Sequence, residues 1–153
     1  MPNGVELKYV EVDEDMKNSI KRHWESNAGD FLHIGSDSYS VAAIVDGDPV
    51  GVISAVARNL PEPLAMMREA FIDIIEVQEQ YRRQGIGEIL VNMVVEWARQ
   101  NNMDQVRAWS EEIRYEALML WKKAGFRFCR VDFERNGQKR YGFYALRSIS
   151  RDA

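Results

Sequence analysis

The feature that most constrains this chain is a strand that runs directly into a glycine-containing turn and then into a helix. The strand covers residues 70–77, and the turn contains Gly85 and Gly87. Apolar residues then recur every three or four positions, as in a helix packed on a core: Ile86, Ile89, Leu90, Met93, Val94 and Trp97. The unpaired N–H groups at such a helix start, beside Arg82 and Arg83, predict an anion site. The alternative is a turn that needs glycine only for steric reasons.

Two common phosphate-binding loops do not fit this turn. A nucleoside-triphosphate loop requires Gly-Lys-Ser/Thr, whereas Gly85 is followed by Ile86, Gly87 and Glu88. A dinucleotide fingerprint requires a third small residue at position 90, which is Leu90, and belongs to a repeated strand-helix-strand pattern. Both types of site are therefore excluded.

The segments around this turn alternate or repeat with clear periods. In chain order they predict a strand at 7–12, a helix capped by Asp13, a loop or broken helix at 25–39, a hairpin of 41–46 and 50–58, a strand at 105–110, a helix capped by Ser110 with Glu111 and Glu112 in its first turn and ended by Gly125, and a hairpin of 126–134 and 138–146. We name residues 25–39 the lip, because they are the candidate wall of a site for a second ligand.

Length, charge and composition limit the number of domains and the kinds of partner that the chain can have. The 153 residues carry a net charge of −4 and predict a single domain over residues 1–153. The sequence has no apolar run of membrane-spanning length and no signal-peptide pattern at its start, so we expect a cytoplasmic protein with no membrane partner. Acidic residues crowd the first part and basic residues the second, a pattern that does not indicate nucleic-acid binding. It fits either a polyanionic ligand on the basic half and a cationic ligand on the acidic half, or ordinary solvated surface.

Two motifs resemble those of the GNAT superfamily of acetyltransferases. The first is Arg82, Arg83, Gln84, Gly85, Ile86 and Gly87, which is similar to the coenzyme A motif Arg/Gln-x-x-Gly-x-Gly/Ala. The second, similar to a downstream marker of the family, is Arg114, Ala117, Leu120, Trp121, Lys123, Gly125 and Phe126. The resemblance implies an α/β fold with a mostly antiparallel sheet of about seven strands flanked by about four helices. It also implies acetyl-CoA as co-substrate, an amine as acceptor and no metal.

The resemblance assigns site residues on this sequence. Backbone N–H groups from Arg83 to Gly87 would hold the pyrophosphate, and the backbone of Ile75 and Val77 would pair with the pantetheine arm, admitted by a splay of the strands around Val77 and Val106. The full set of implied cofactor-binding residues is Ile75, Val77, Arg82, Arg83, Gln84, Gly85, Ile86, Gly87, Arg114, Ala117 and Trp121.

Trp121 and Arg114 depart from the family's pattern. Trp121 stands where many members have the tyrosine that protonates the leaving thiolate, and an indole cannot do this. Arg114 stands in place of the usual asparagine, on the same predicted helix face as Trp121. The missing acid leaves two alternatives, an N-acetyltransferase or an acyl-CoA-binding module with little or no catalysis.

The implied reaction is direct attack of a primary amine on the thioester, with the N–H of Val77 polarising the carbonyl. Asp73 is the candidate base, because it lies four residues before Val77 and, in a regular strand, on the same side, while Glu76 faces the other way. The alternative for Asp73 is a purely structural carboxylate.

Phe31 and Tyr39 of the lip are the candidate substrate-binding residues, and His33 is interpreted as a lip or surface histidine rather than a metal ligand. The acceptor, a small amine or a protein lysine or N-terminus, is left open. Family members often pair through their last strands, so a homodimer is an alternative to a monomer.

Overall fold

The seven strands and three α-helices that the structure describes follow one another in the order that the sequence predicts. The computed structural model describes residues 6–111 and 114–149. The strands are β1 (Leu7–Glu11), β2 (Ser38–Val45), β3 (Asp48–Asn59), β4 (Arg68–Val77), β5 (Gln105–Ser110), β6 (Arg127–Arg135) and β7 (Gln138–Ser148). The helices are α1 (Glu14–His23), α2 (Ile86–Gln100) and α3 (Tyr115–Lys123), with short 3₁₀ helices at Ala28–Phe31 and Glu79–Tyr81.

All seven strands join one sheet in the order β1-β2-β3-β4-β5-β7-β6. Every neighbouring pair is antiparallel except β4 and β5, which are parallel. The predicted α/β fold with a mostly antiparallel sheet of seven strands is thus confirmed. The described residues hold three α-helices rather than about four, because the lip forms only one 3₁₀ turn at Ala28–Phe31.

The starts of the first and third helices differ in how well local sequence predicts them. Asp13 caps α1 as expected, and its Oδ1 accepts a hydrogen bond from the Met16 N–H at 2.8 Å. The prediction that Ser110 caps α3 is wrong, because Ser110 pairs with Phe143 and ends β5. The helix begins at Tyr115 without a side-chain cap, and the predicted first-turn Glu112 lies outside the described residues.

The sheet buries a large core on one face and a smaller core on the other. On the α2 side the fully buried side chains include Ile53, Leu90 and Val106. On the α1 side the smaller cluster is formed by Val12, Ile20, Ala28, Leu32, Ala42 and Val52. Each large apolar side chain buried in this way stabilises the fold by roughly 1.5–3 kcal/mol. The two cores fix β4 between them, with one face toward each.

A β-bulge at Asp73 reverses the alternation of side chains along β4. Ser54 of β3 pairs with Ile74 and Ala55 pairs with Ile72, so Asp73 is an extra residue without a partner on β3. Ile75 and Val77 pack on the α2-side core. Asp73 bonds to His33 and Glu76 to Ser26, both in the segment after α1. Glu76 therefore faces away from Val77 as expected, but Asp73 lies on the side of Glu76, so the expectation that Asp73 shares a side with Val77 is wrong.

The parallel pairing of β4 and β5 stops halfway along β4. It covers Glu69–Ile72 against Gln105–Ala108, so β4 continues to Val77 without β5 beside it. Val106 lies within the paired part, opposite Ala70, and is fully buried. The splay expected around Val77 and Val106 therefore exists at Val77, but Val106 is not part of it.

Candidate active site

Past Ile72, β4 has none of the described strands beside it where β5 would continue, and we call this space the gap. The gap exposes backbone groups of β4 that a neighbouring strand would normally bind. Val77 lies opposite Gly51, and the next residue, Gln78, donates its N–H to the Val50 carbonyl at 2.8 Å. Because paired residues in an antiparallel ladder bond to their neighbour alternately, the N–H and C=O of Ile75 and Val77 point away from β3 and into the gap. The Val77 carbonyl accepts from Arg82 Nε at 2.8 Å.

The turn after β4 presents the unpaired N–H groups of α2. Gly85 occupies the N-cap with φ of 84°, a left-handed conformation that favours glycine, and has no side chain to cap the helix. The first intrahelical bond runs from the Ile89 N–H to the Gly85 carbonyl. The N–H groups before Ile89 are therefore not used within the helix, as an anion site requires.

A cleft of about 620 Å³ connects this turn with the gap beside β4. Its volume lies within the range of roughly 300–1,000 Å³ that small-molecule and cofactor sites occupy. The structure brings the sequence-predicted residues together on its wall: Ile75, Val77, Arg82, Arg83, Gly85, Ile86, Gly87, Arg114, Ala117 and Trp121. Gln84 is the exception, because its amide points away to the Gln80 carbonyl at 3.4 Å.

Charged side chains from the turn and from α3 meet at the mouth of the cleft. Arg83 forms an ion pair with Glu116. The hydrogen bond and the charge of Arg83 lower the pKa of Glu116 below its ordinary value, and Glu116 in turn raises the pKa of Arg83. Arg82, Arg114 and Lys123 also line the cleft. With Glu76 and Glu88 also on the wall, four cations face three carboxylates, and the net positive charge of one suits a polyphosphate ligand.

The wall of the cleft opposite the turn contains the aromatic residue that departs from the family's pattern. Trp121 is only 6% exposed and packs against Phe126 with ring centroids 5.0 Å apart. Two residues whose hydroxyl groups could donate a proton, Tyr81 and Tyr115, line the same cleft. The sequence alone does not indicate either tyrosine, since cleft walls depend on packing between distant segments.

On the α1 side of β4, an imidazole and a carboxylate form a close pair. His33 Nε2 lies 2.6 Å from Asp73 Oδ2, and the two side chains are 39% and 32% exposed. The backbone of His33 is held on both sides: its N–H donates to Ser54 Oγ at 2.9 Å and its carbonyl accepts from Ser40 Oγ at 2.6 Å. Both serines are buried. The pair is therefore positioned by the sheet rather than by a mobile loop.

A second carboxylate lies on the same side, next to the gap. Glu76 accepts a hydrogen bond from Ser26 Oγ at 2.7 Å and also lines the cleft. Phe31 lies in the lip and is 37% exposed. Tyr39 does not join it, because its ring stacks on Trp97 of α2 at 5.4 Å, on the other face of the sheet.

Within residues 6–111 and 114–149, no cluster of three or more His, Cys, Asp or Glu side chains has the geometry to hold a metal ion. No helix in that part of the chain is long and apolar enough to cross a membrane.

Sequence comparison identifies one family and several partial relatives. The family model described as "Acetyltransferase (GNAT) family" matches residues 6–126. N-acetyltransferase family 8 members 3 and 7 from Mus musculus are each 29% identical over 80 residues, which is 52% of this chain and 34% of those proteins. The matched part thus spans about a third of the length of these curated relatives.

Structural comparison finds the same architecture in several acetyltransferases. NAA60 from Arabidopsis thaliana in complex with acetyl-CoA superposes with a TM-score of 0.73 at 20% identity, covering 94% of this chain and 99% of that chain. The same protein in complex with a bisubstrate analogue gives a TM-score of 0.75 at 21% identity, over 94% and 98% of the two chains. The ribosomal-protein-S18-alanine N-acetyltransferase from Escherichia coli gives 0.70 at 14% identity, over 97% of each chain.

Proposed function

Because the chain belongs to the acetyltransferase (GNAT) family, we propose that it is an N-acetyltransferase that moves an acetyl group from acetyl-CoA to a primary amine. The observation that carries the proposal is the cleft that joins the α2 turn to the gap beside Ile75 and Val77. The structural likeness to NAA60, whose complexes contain acetyl-CoA and a bisubstrate analogue, supports sites for an acyl donor and for an acceptor.

In this proposal, the turn and the end of β4 hold the co-substrate. The N–H groups from Arg83 to Gly87, with Arg82, bind the pyrophosphate, and the backbone of Ile75 and Val77 binds the pantetheine arm. Acetyl-CoA supplies an acetyl group that is activated as a thioester. The Val77 N–H then donates to the carbonyl oxygen and stabilises the negative charge that develops on it during attack.

The amine needs a proton acceptor before it can attack. Freeing a lysine-like amine with a pKa of ~10.4 costs about 4.6 kcal/mol at pH 7, against about 1 kcal/mol for an α-amine. Asp73, our candidate base, acts here together with His33, which lies 2.6 Å away. The imidazole accepts the amine proton and the Asp73 carboxylate orients it and stabilises the resulting charge. The amine nitrogen bonds to the acetyl carbon, the C–S bond breaks, and the thiolate takes a proton from Tyr81, Tyr115 or water.

The second candidate function is an acyl-CoA-binding module with little or no catalysis. It is favoured by Trp121, which lies at the cleft in place of a hydroxyl donor. The two functions differ in one measurable respect, because only the enzyme releases free thiol from acetyl-CoA when a primary amine is added.

The proposal is tested by thermal unfolding with and without acetyl-CoA, for the wild type and for Gly87→Glu. A ligand at 100 times its Kd adds about 2.7 kcal/mol to the stability of the folded state, so we expect Tm to rise in the wild type. A Cβ at Gly87 lies 3.4 Å from Leu120 across the cleft, so the glutamate fills the site with like charge and the rise is lost.

Asn92→Glu is the matched control, because it adds the same charge at an exposed position of α2 outside the cleft. It should keep the rise in Tm. If millimolar acetyl-CoA leaves the Tm of the wild type unchanged, the proposed function is wrong. If Tm rises but no amine in a broad panel releases thiol, the binding module is the better description.

A further inference from the structure

A buried carboxylate shared by two arginines lies on β4 below Asp73, on the α1 side of the sheet. Glu69 is fully buried and accepts hydrogen bonds from Arg58 Nε at 2.8 Å, from Arg107 Nε and Nη2 at 3.0 and 2.7 Å, and from Gln105 at 2.8 Å. We name these four residues the arginine cluster. Two guanidinium groups and one carboxylate leave one positive charge uncompensated within it.

The arginine cluster keeps hydrogen-bond donors that Glu69 does not use. Within the described residues, Arg107 binds Glu69 through Nε and Nη2 and leaves Nη1, while Arg58 binds through Nε alone and leaves both terminal nitrogens. Arg58 is 43% exposed, so these donors reach solvent. A single bidentate arginine and Gln105 would already satisfy Glu69, so the second arginine supplies a charge that burial of Glu69 does not require.

Aromatic rings hold both guanidinium groups in place. Arg58 lies over the ring of Phe71 at 3.9 Å, and Arg107 lies over the ring of Tyr144 at 4.5 Å. Stacking of this kind fixes the plane of a guanidinium group and reduces the entropy it loses when it binds an anion. The arrangement presents a preorganised fork, which is the geometry that recognises a carboxylate.

The distance from this fork to the proposed base suggests what the acceptor carries. Phe71 faces Arg107 across the parallel pair, and Asp73 follows two residues later on the same side of β4. Two residues along a strand correspond to roughly 7 Å. Phe71 thus comes between Glu69 and Asp73 along β4, where an apolar linker that joins the arginine cluster to the His33–Asp73 pair would pass.

We propose that the arginine cluster binds a carboxylate of the acceptor, so that the preferred acceptor is an amino acid whose amine and carboxylate are separated by several methylene groups. This rests on the proposed function and names its substrate class. The carboxylate binds Arg58 and Arg107, the methylene groups pack on Phe71, and the amine reaches His33 and Asp73. A diamine lacks the group that the cluster recognises.

The test compares 5-aminopentanoate with pentylamine, which lacks the carboxylate, and with 1,5-diaminopentane, which replaces it by a second cation. We expect kcat/KM, followed by thiol release, to be at least tenfold higher for 5-aminopentanoate than for either amine. In Arg58→Gln this ratio should fall toward one, since a hydrogen bond to a charged group contributes enough to change affinity about tenfold or more.

Arg130→Gln is the matched control, because Arg130 also pairs with a carboxylate, Asp132, and lies over a ring, that of Tyr141, but on the β6–β7 hairpin. It should leave the ratio unchanged. Equal or higher kcat/KM for pentylamine or 1,5-diaminopentane, or an unaltered ratio in Arg58→Gln, would overturn the proposal.

A binding measurement separates this proposal from the proposed function. With coenzyme A present, 5-aminopentanoate should raise the Tm of the wild type and not that of Arg58→Gln, even where no thiol is released. Loss of thiol release with this shift retained counts against catalysis alone. Absence of the shift in the wild type counts against the carboxylate site.

Discussion

At the scale of single residues, Gly85 and His33 reach their positions in the site in different ways. The role of Gly85 follows from its immediate neighbours, because a left-handed turn before a helix is a local requirement, and φ is 84° there. The pairing of His33 with Asp73 joins residues 40 positions apart. It also depends on the bulge that turns Asp73 toward the lip, and no short-range pattern in the sequence indicates that bulge.

Replacing His33 by Gln or Asp73 by Asn should lower kcat/KM at pH 7 by about 10²–10⁴, the usual contribution of a general base. The loss should be larger for an alkylamine acceptor than for one with an α-amine, since more of the α-amine is already unprotonated. Steady-state rates between pH 6 and 9 check this, and the deficit should shrink as pH rises. Asp48→Asn, at the exposed start of β3, is the control. Unchanged rates over this range would remove the pair from the mechanism.

Replacing Trp121 by Tyr should raise kcat and lower stability. A thiolate with a pKa of ~8.5 left unprotonated near pH 7 forfeits about 2 kcal/mol, so a hydroxyl at this position can increase the rate by at most about thirtyfold. The smaller ring leaves space beside Phe126 and lowers Tm. Trp121→Phe removes similar volume without adding a hydroxyl, so equal kcat in the two variants would show that proton donation is not what this position lacks.

At the scale of elements, β4 carries the candidate site because its end borders the cleft on the α2 side and its other face presents Asp73 to His33 on the α1 side. Periodicity identified the strand, the turn and α2, since apolar spacing is a property of each segment alone. The same reasoning failed on side-chain direction past Asp73 and on the start of α3. In both places strand pairing decides the outcome, through the β3–β4 register at Ser54 and the bonding of Ser110 to β7.

The arginine cluster ties β3, β4 and β5 together and should make stability depend on pH. Burial alone would raise the pKa of Glu69, but hydrogen bonds from Arg107, Arg58 and Gln105 outweigh it and lower the pKa from its ordinary value of 4.5. A lowered folded-state pKa gives a stabilisation that is present above pH 4.5 and is lost as pH falls through the folded-state value.

Glu69→Gln should therefore destabilise the protein at neutral pH by about 2–3 kcal/mol, because it leaves two arginines without their shared counter-charge. It should also flatten the decline of stability below about pH 4.5. Urea unfolding at several pH values measures both effects. Glu134→Gln, at an exposed position of β6, is the control. Parallel pH profiles for wild type and Glu69→Gln would contradict the assignment.

At the scale of the whole molecule, one sheet runs through all the described strands. The sequence predicted the number and order of the strands but not that β7 lies between β5 and β6, because sheet order depends on contacts that no local period encodes. A homodimer through the last strands stays a prediction, and β6 has the edge position that it requires.

We propose that residues 1–153 form a single domain, and unfolding should then be one cooperative transition. The tryptophans are spread along the chain, at positions 24, 97, 109 and 121, so their fluorescence samples both halves. We expect fluorescence and far-UV circular dichroism to report coincident midpoints in urea. Two separate midpoints would mean that the chain folds as more than one unit.

The place where β5 leaves β4 is a window through the sheet. The cleft opens on its α2 side, and the His33–Asp73 pair lies on its α1 side. Two reactants that approach from opposite faces do not block each other's entry, and either product can leave while the other stays bound. For the reaction that we propose, such a window would allow the two reactants to bind and the two products to leave in any order.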